Sequence, residues 1–161
     1  MITGFALVCL NVLDLDQAKA FYVDTIGFEV GIDQEMDGFR WLTVHPPQRP
    51  DQPMMLVVPE PPVVDPGTAE QLQSLIARGY LGLGALQTDD CWATYRDLTA
   101  KGVEFTEPPE ERFYGIDAAF RDPFGNAWRL TQPKELDQIR ATVARVASGP
   151  QPSRGASDQS E

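Results

Sequence analysis

The amino-acid sequence predicts an α+β fold built from two copies of a βαβββ-like module. One order of elements occurs twice: an apolar strand, a helix that begins at aspartate, a glycine that ends the helix, and another strand. Four prolines and a glycine at residues 59–67 exclude regular structure between the two occurrences. We therefore expect module one at residues 4–58, a linker and helix at 59–80, and module two at 81–133, with residues 1–133 forming one domain.

Module one contains several apolar segments of strand length, separated by a helix and by turns. Asp14 supplies an Asx-type helix start, and Gly27 ends that helix. Asp37 and Gly38 are a strong hairpin-turn signal. The predicted strands are residues 5–12, 39–44 and 54–58, and a further strand begins at residues 28–30.

The linker leads into a helix that we expect Thr68 to cap and that ends near Gly79. Leu72, Leu75 and Ile76 fall on one face of it.

Module two repeats the order of module one. Asp90 opens a helix, Gly102 ends it, and the turn at residues 122–126 joins the last two strands. The predicted strands are residues 81–88, 103–105, 118–120 and 127–130.

The chain beyond Pro133 has a different pattern. Its apolar residues step at helical spacing, which predicts an amphipathic helix over residues 134–147 that docks on the body. Residues 148–161 are polar and rich in proline, glycine and serine, so we expect a disordered tail there. The apolar stripe of the helix consists of Leu136, Ile139, Val143 and Val146.

The charge of the chain restricts its partners. Acidic residues outnumber basic ones 24 to 13, which gives a formal net charge of −11. Such a surface repels phosphate backbones and anionic lipid heads, so we expect neither nucleic acid nor membrane as a partner. The same field favours a cationic small molecule, or it serves only solubility. Cys9 and Cys91 lack disulfide or C-x-x-C spacing, which favours reduced thiols and a cytoplasmic location.

Three segments carry a resemblance to a known family: VLDLDQAKAFYVDTIGFEV, TDDCWATYRDLTAKGVEF and GIDAAFRDPFGNAWRLTQP. Over residues 4–133 the chain resembles the glyoxalase / bleomycin-resistance / dioxygenase family, also called vicinal oxygen chelate proteins. The last segment is the most specific, because it contains the R-D-P-x-G-N turn of the family's final hairpin. The resemblance implies paired modules that curl around a cleft, often completed in a homodimer.

Metal enzymes of that family hold a divalent ion with four side chains, and the resemblance places these positions on this chain at Leu7, Leu83, about Met55, and Arg129. Two leucines, a methionine and an arginine do not coordinate a divalent cation, and arginine is always protonated. The single histidine, His45, precedes two prolines and is expected in a surface loop. We therefore expect no metal and no other cofactor.

Metal-free proteins similar to this one bind ligands, and some sequester cationic aromatic drugs. We accordingly expect a metal-independent protein that binds a small aromatic molecule such as an antibiotic, as a homodimer. Phe39 and Trp128 are aromatic residues that belong either to the cleft or to the core. The candidate ligand-binding residues are Cys9, Asn11, Trp41, Met55, Leu83, Phe113, Tyr114, Phe120 and Arg129.

Two alternatives stay open at this point. Arg129 either pairs with a carboxylate of the protein or docks an anionic group of the ligand, because an unpaired buried charge is very costly. An enzyme of the family (a lyase, isomerase or dioxygenase with a displaced metal site) is the second interpretation of the function. It is disfavoured because no P-loop, G-x-G-x-x-G segment or Ser-His-Asp set is present in the sequence.

Overall fold

Each module folds into one four-stranded mixed sheet, as the α+β prediction requires. The computed structural model describes residues 1–81 and 83–147, and of Leu83 it describes only the backbone. The predicted tail at 148–161 lies outside the described residues. The strands are β1 Val8–Asn11, β2 Glu29–Met36, β3 Phe39–His45, β4 Met54–Val57, β5 Leu83–Gln87, β6 Phe105–Arg112, β7 Gly115–Arg121 and β8 Ala127–Pro133.

The two sheets have the same topology, which confirms the internal repeat. Their strand orders are β1-β4-β3-β2 and β5-β8-β7-β6. In each, the first and last strands of the module run parallel and the other neighbours run antiparallel. The helices are α1 Leu15–Lys19, which continues as a π-helix at Ala20–Thr25, α2 Pro66–Ala77, α3 Cys91–Ala100 and α4 Leu136–Ala147.

The first helix of each module starts and stops in the same way. The Asp14 carboxylate accepts from the Gln17 amide at 2.7 Å, and Asp90 accepts from Ala93 at 2.9 Å. Gly27 and Gly102 follow the two helices with φ of 91° and 90°, a backbone conformation that favours glycine. The aspartate and glycine signals of the sequence therefore mark real boundaries.

Some boundaries differ from those predicted, for local reasons. β6 extends to Arg112 although it contains Pro108 and Pro109. It is the edge strand of its sheet, where a missing amide costs no ladder bond, and its register shifts between Glu107 and Glu110. β1 begins only at Val8, and Phe5, which was expected in this strand, is exposed and lies outside the sheet.

The linker helix α2 is capped by Asp65 instead of Thr68. The Asp65 carboxylate accepts from the amides of Gly67 and Thr68, and Pro66 occupies the first helical turn, where its missing N–H costs nothing. Of the apolar residues on one face of this helix, Ile76 is buried and Leu75 is exposed.

Tyr22 joins the two modules. It lies in the π-helix of module one and is fully buried. Its hydroxyl donates to the Asp122 carboxylate at 2.8 Å and accepts from the Trp128 indole N–H at 2.9 Å. Burial, followed by the Asp122 charge, raises the pKa of Tyr22 far above its ordinary value. One hydrophobic core therefore runs through both modules.

Trp128 and Phe120 belong to this core. Trp128 lies over Gly84 of β5, where an added Cβ would overlap the indole ring. Phe120 is 1% exposed and packs on Phe105 with ring centroids 5.4 Å apart. The expectation that Phe120 contacts ligand is therefore wrong, because strand alternation directs it to the helix-covered face.

The chain beyond Pro133 forms α4, but the apolar stripe of that helix is not buried. All of residues 136–147 are described and none is buried, with Leu136 57% and Val146 73% exposed. The start of the helix is fixed where the Lys134 amide donates to the Tyr114 carbonyl at 2.8 Å. Farther along, Ile139 is half-buried, and Val143 and Val146 line a groove with Phe113, so the stripe lies against the body only in part. No helix in the described part of the chain has the length and apolarity needed to span a bilayer.

We expect Tyr22→Phe to lower the free energy of unfolding by about 1–3 kcal/mol, because it leaves the Trp128 N–H without its acceptor and Asp122 without one donor. Tyr80→Phe is the matched control, since Tyr80 is 69% exposed and no hydrogen bond is assigned to its hydroxyl in the described structure. Urea unfolding of both variants tests this. Equal stabilities of the two variants would contradict the junction role.

Candidate functional site

The face of each sheet that no helix covers is here called its open face. In module two, ion pairs and small residues occupy this face, because Phe120, Trp128 and Leu130 alternate onto the other one. A cavity of about 430 Å³ lies there, within the usual size range of a small-molecule site. The described residues that line it all belong to module two: Ala85, Leu86, Gln87, Tyr114, Asp117, Arg129, Thr131 and Pro133.

An ion pair between Arg129 and Asp117 occupies the cavity floor. The Arg129 Nε donates to Asp117 Oδ2 at 2.7 Å, and Nη2 also donates to that oxygen. Thr131 donates to Asp117 Oδ1 at 2.7 Å and Tyr114 to Oδ2 at 3.0 Å. Of the two alternatives that the sequence leaves open, the structure therefore shows Arg129 paired within the protein.

The environment of Asp117 favours its charged form. Burial by itself would raise the pKa of this carboxyl, whose side chain is 0% exposed. The hydrogen bonds from Arg129, Thr131 and Tyr114 outweigh burial, and the pKa lies below its ordinary value of 3.8. Both members of the pair are thus charged at neutral pH.

The open face of module two carries a small excess of negative charge. Arg129 Nη1 donates a third hydrogen bond, to Glu107 Oε2 at 3.0 Å. Arg112 lies 3.6 Å from Glu107 and 2.8 Å from Glu110. Three carboxylates therefore surround two guanidinium groups among the described residues of this face. An anionic group meets no free cation in that set.

The open face of module one lacks these charges. Cys9 pairs with Met55 as Ala85 pairs with Arg129, so the register puts Met55 and Arg129 at equivalent positions of the two modules. Phe39 and Trp41 lie on the same face, half-buried, with ring centroids 6.1 Å apart. Where module two has an ion pair, module one has a thioether and two aromatic rings.

The structure places the predicted ligand-binding residues in five separate locations. Arg129 and Tyr114 line the cavity. Phe113 instead lines an apolar groove of about 310 Å³ against Val143 and Val146 of α4. Leu83 begins β5, and its side chain lies outside the described part. The candidates on module one are Cys9, Asn11, Trp41 and Met55, and Phe120 is in the core.

The sequence analysis missed six of the eight lining residues, and three of the six are polar. Asp117 is an acidic residue inside an otherwise apolar strand, and Thr131 lies two positions beyond Arg129 on the same face. Both signals are readable in the sequence by strand alternation. Gln87 ends β5 with no distinguishing pattern around it.

His45 is not in a surface loop, contrary to expectation. It is the last residue of β3, is only 9% exposed, and its Nδ1 lies 3.0 Å from the Pro46 carbonyl oxygen. β3 continues to the residue before Pro46, and an extended conformation is the one that a pre-proline residue favours.

The open faces do not fit a divalent metal. Met55 offers a thioether and Arg129 a guanidinium that is bound to two carboxylates, and neither suits the His and carboxylate sites of divalent ions. Within residues 1–81 and 83–147, no group of three or more His, Cys, Asp or Glu side chains is arranged to hold a metal ion.

The topology and the paired modules define the class of protein. The chain belongs to the Glyoxalase/Bleomycin resistance protein/Dioxygenase superfamily, whose family model matches residues 4–130. The helix α4 therefore lies beyond the residues that the family model matches.

Individual relatives support the same assignment. The crystal structure of UcmS2 is similar with a TM-score of 0.77 and 40% identity, covering 81% of this chain and 98% of UcmS2. TnmS3, an antibiotic binding protein from Streptomyces sp. CB03234, is 33% identical with a TM-score of 0.67, over 83% of this chain and 98% of TnmS3. An uncharacterized protein from Shewanella frigidimarina (strain NCIMB 400) is 34% identical over 134 residues, 82% of this chain and 95% of that protein.

We expect the protein purified without chelators to carry no stoichiometric Ni, Zn, Fe or Mn, because Met55 and Arg129 stand at ligand positions. Elemental analysis by mass spectrometry measures this directly. About one metal ion per chain that is lost in a variant of an open face, such as Cys9→Ala, would overturn the expectation.

We expect Asp117→Asn to be less stable than wild type at neutral pH by about 1–3 kcal/mol, because the charged hydrogen bonds to Arg129 weaken. The folded pKa of Asp117 is depressed, so the stabilisation is present above the unfolded pKa and is lost as pH falls through the folded one. The difference in the free energy of unfolding between wild type and Asp117→Asn should therefore narrow as the pH falls below the ordinary carboxyl pKa of 3.8. Chemical unfolding across this range, with the exposed Asp137→Asn as control, tests the sign. A stability difference between the two proteins that does not change with pH would refute the depressed pKa of Asp117.

Proposed function

We propose that this protein is a metal-independent small-molecule-binding protein of the glyoxalase/bleomycin-resistance type that sequesters an aromatic ligand such as an antibiotic. The observation that carries the proposal is the module-two cavity, whose metal-equivalent position is taken by an arginine already paired to Asp117. A cavity whose polar groups are fixed and whose side chains are not metal ligands is better suited to binding a ligand than to catalysing a reaction on it.

The relatives support this assignment. TnmS3 is described as an antibiotic binding protein, and its match to this chain extends over nearly its whole length. The two proteins share the modules that carry the open faces, and α4 lies outside the family-matched region. Antibiotic binding is therefore the activity that we transfer as a proposal.

The charges of the open face favour a cationic or neutral ligand. Arg129 is neutralised by Asp117 and also contacts Glu107, and the face as described has one more carboxylate than guanidinium groups. The net charge of −11 acts in the same direction, though exposed charges are screened beyond about 8 Å at physiological salt. A soluble cytoplasmic homodimer, with no nucleic-acid or membrane partner, completes the proposal.

A matched set of acridines tests the charge preference. We expect 9-aminoacridine, a cation, to quench tryptophan fluorescence at roughly tenfold lower concentration than acridine-9-carboxylate, an anion with the same rings. Glu107→Gln should weaken binding of the cation by about threefold, because it removes a partly exposed negative charge near the site. Glu60→Gln, exposed and remote from the cavity, is the control.

Two outcomes would count against the proposal. Absence of saturable quenching by the cation, the anion and neutral acridine would remove the aromatic-binding function. A preference for the anion would show that Arg129 is released from its carboxylates on binding, and would overturn the charge assignment.

A further inference from the structure

The helix α4 carries an apolar stripe that its own chain covers only in part. Ile139 is half-buried, whereas Leu136, Val143 and Val146 are exposed. The two valines form one side of the apolar groove, and the exposed ring of Phe113 forms the other. A twelve-residue helix is marginal in water unless its apolar face is packed, so this stripe needs a further partner.

Other occupants of this surface are disfavoured by their chemistry. Residues 148–161 follow the helix in sequence, but the largest apolar side chains among them are those of proline and alanine. A lipid surface is disfavoured too, because residues 134–147 have only one more basic than acidic side chain and the chain has a net charge of −11. The stripe therefore requires another protein surface.

The spacing of the stripe is that of a two-stranded coiled coil. Its members are separated by three, four and three residues, as are the a and d positions of a heptad repeat. Leu136 and Val143 then occupy a positions, and Ile139 and Val146 occupy d positions. A helix with this seam is suited to packing against a second helix of the same kind, and α4 of another copy of the chain is such a helix.

The charges beside the stripe favour a parallel pair of helices. Glu135 precedes the first a position and is a g residue, and Arg140 is the e residue of the same repeat. In a parallel pair the g residue of one helix faces the e residue of the other, so this contact forms twice about a two-fold axis. Arg140 is available for it, because its exposed pair with Asp137 at 3.6 Å is weak.

An antiparallel pair of the same helices is disfavoured by charge. Contact between the two stripes would then place residue 141 at the midpoint, so the two Arg140 guanidinium groups would lie side by side. Like charges at such a distance repel each other. The parallel arrangement replaces that repulsion by two attractive pairs.

We propose that α4 associates with α4 of a second copy of the chain as a parallel pair about a two-fold axis. The apolar side chains of the two stripes meet along the axis, the Phe113 rings flank them, and Glu135 of each copy binds Arg140 of the other. The contact extends about 18 Å along the helices, so the association is weak and depends on protein concentration. It uses none of the described residues that line the module-two cavity and does not depend on the proposed function.

Sedimentation equilibrium over a range of protein concentrations measures this association. We expect the double variant Val143→Lys, Val146→Lys to raise the dissociation constant at least about tenfold, because four charged side chains then replace the apolar ones at the contact. Ala141→Lys is the matched control, since Ala141 is exposed on the opposite side of the same helix. Circular dichroism checks the fold of each variant. Equal association of the double variant and Ala141→Lys overturns the proposal, whatever other contacts the copies make.

An exchange of the two charges tests the direction of the helices. Arg140→Glu should weaken association by about threefold, because it sets two carboxylates against each other. Adding Glu135→Arg to that variant should restore the wild-type dissociation constant. A combined variant that associates no better than Arg140→Glu alone overturns the parallel arrangement.

A cysteine cross-link tests which residues face each other. The background is Cys9→Ala, which removes the exposed native thiol. In it, Val146→Cys should form a disulfide between two copies under mild oxidation, because each d residue faces its counterpart in a parallel pair. In an antiparallel pair the two positions lie about 15 Å apart along the axis. Ala141→Cys is the control. Absence of the Val146→Cys cross-link, or equally fast cross-linking of the control, overturns the proposal.

Discussion

Asp122 accepts hydrogen bonds from both modules, and the geometry of the chain depends on it. Its carboxylate receives the Tyr22 hydroxyl, the amides of Phe124 and Asn126, and the Asn126 side chain. The turn between β7 and β8 is shaped by the same group that holds the helix of module one. Asn126 in turn donates to the Asn11 carbonyl at the end of β1. A buried carboxylate that satisfies four donors leaves little freedom in the angle between the modules.

That rigidity positions chemistry on the opposite faces of the sheets. Because Phe120, Trp128 and Leu130 lie in the core, strand alternation leaves the other face of β7 and β8 to Asp117, Arg129 and Thr131. Arg129, which the family resemblance places at a metal-ligand position, is instead paired with Asp117. In the proposed function, ligand recognition would therefore rest on shape, stacking and hydrogen bonds instead of metal coordination.

The sequence predicted the repeat because its signals are local. Asp14, Asp90, Gly27 and Gly102 determine helix ends through their own backbone and cap geometry, so they need no tertiary information. The side of a strand that faces a ligand is not local. Phe120 was misassigned because an aromatic residue suits either face, and His45 because the length of β3 is set by its pairing with β2. The partner of Arg129 lies twelve residues earlier, and only the β7–β8 register brings Asp117 to it.

The indole of Trp128 occupies the space that a side chain at position 84 of the paired strand would fill, which restricts substitution at both positions. A larger residue at 84 is accommodated only if the indole is replaced by something smaller, and that replacement also removes the donor to Tyr22. The two positions are therefore expected to covary. A substitution at either one would also affect the contact of Trp128 with Tyr22 in module one. Substitution in β5 is therefore restricted by a tyrosine sixty-two residues upstream of the glycine, whereas the neighbouring Ala85 is exposed and carries no such restriction.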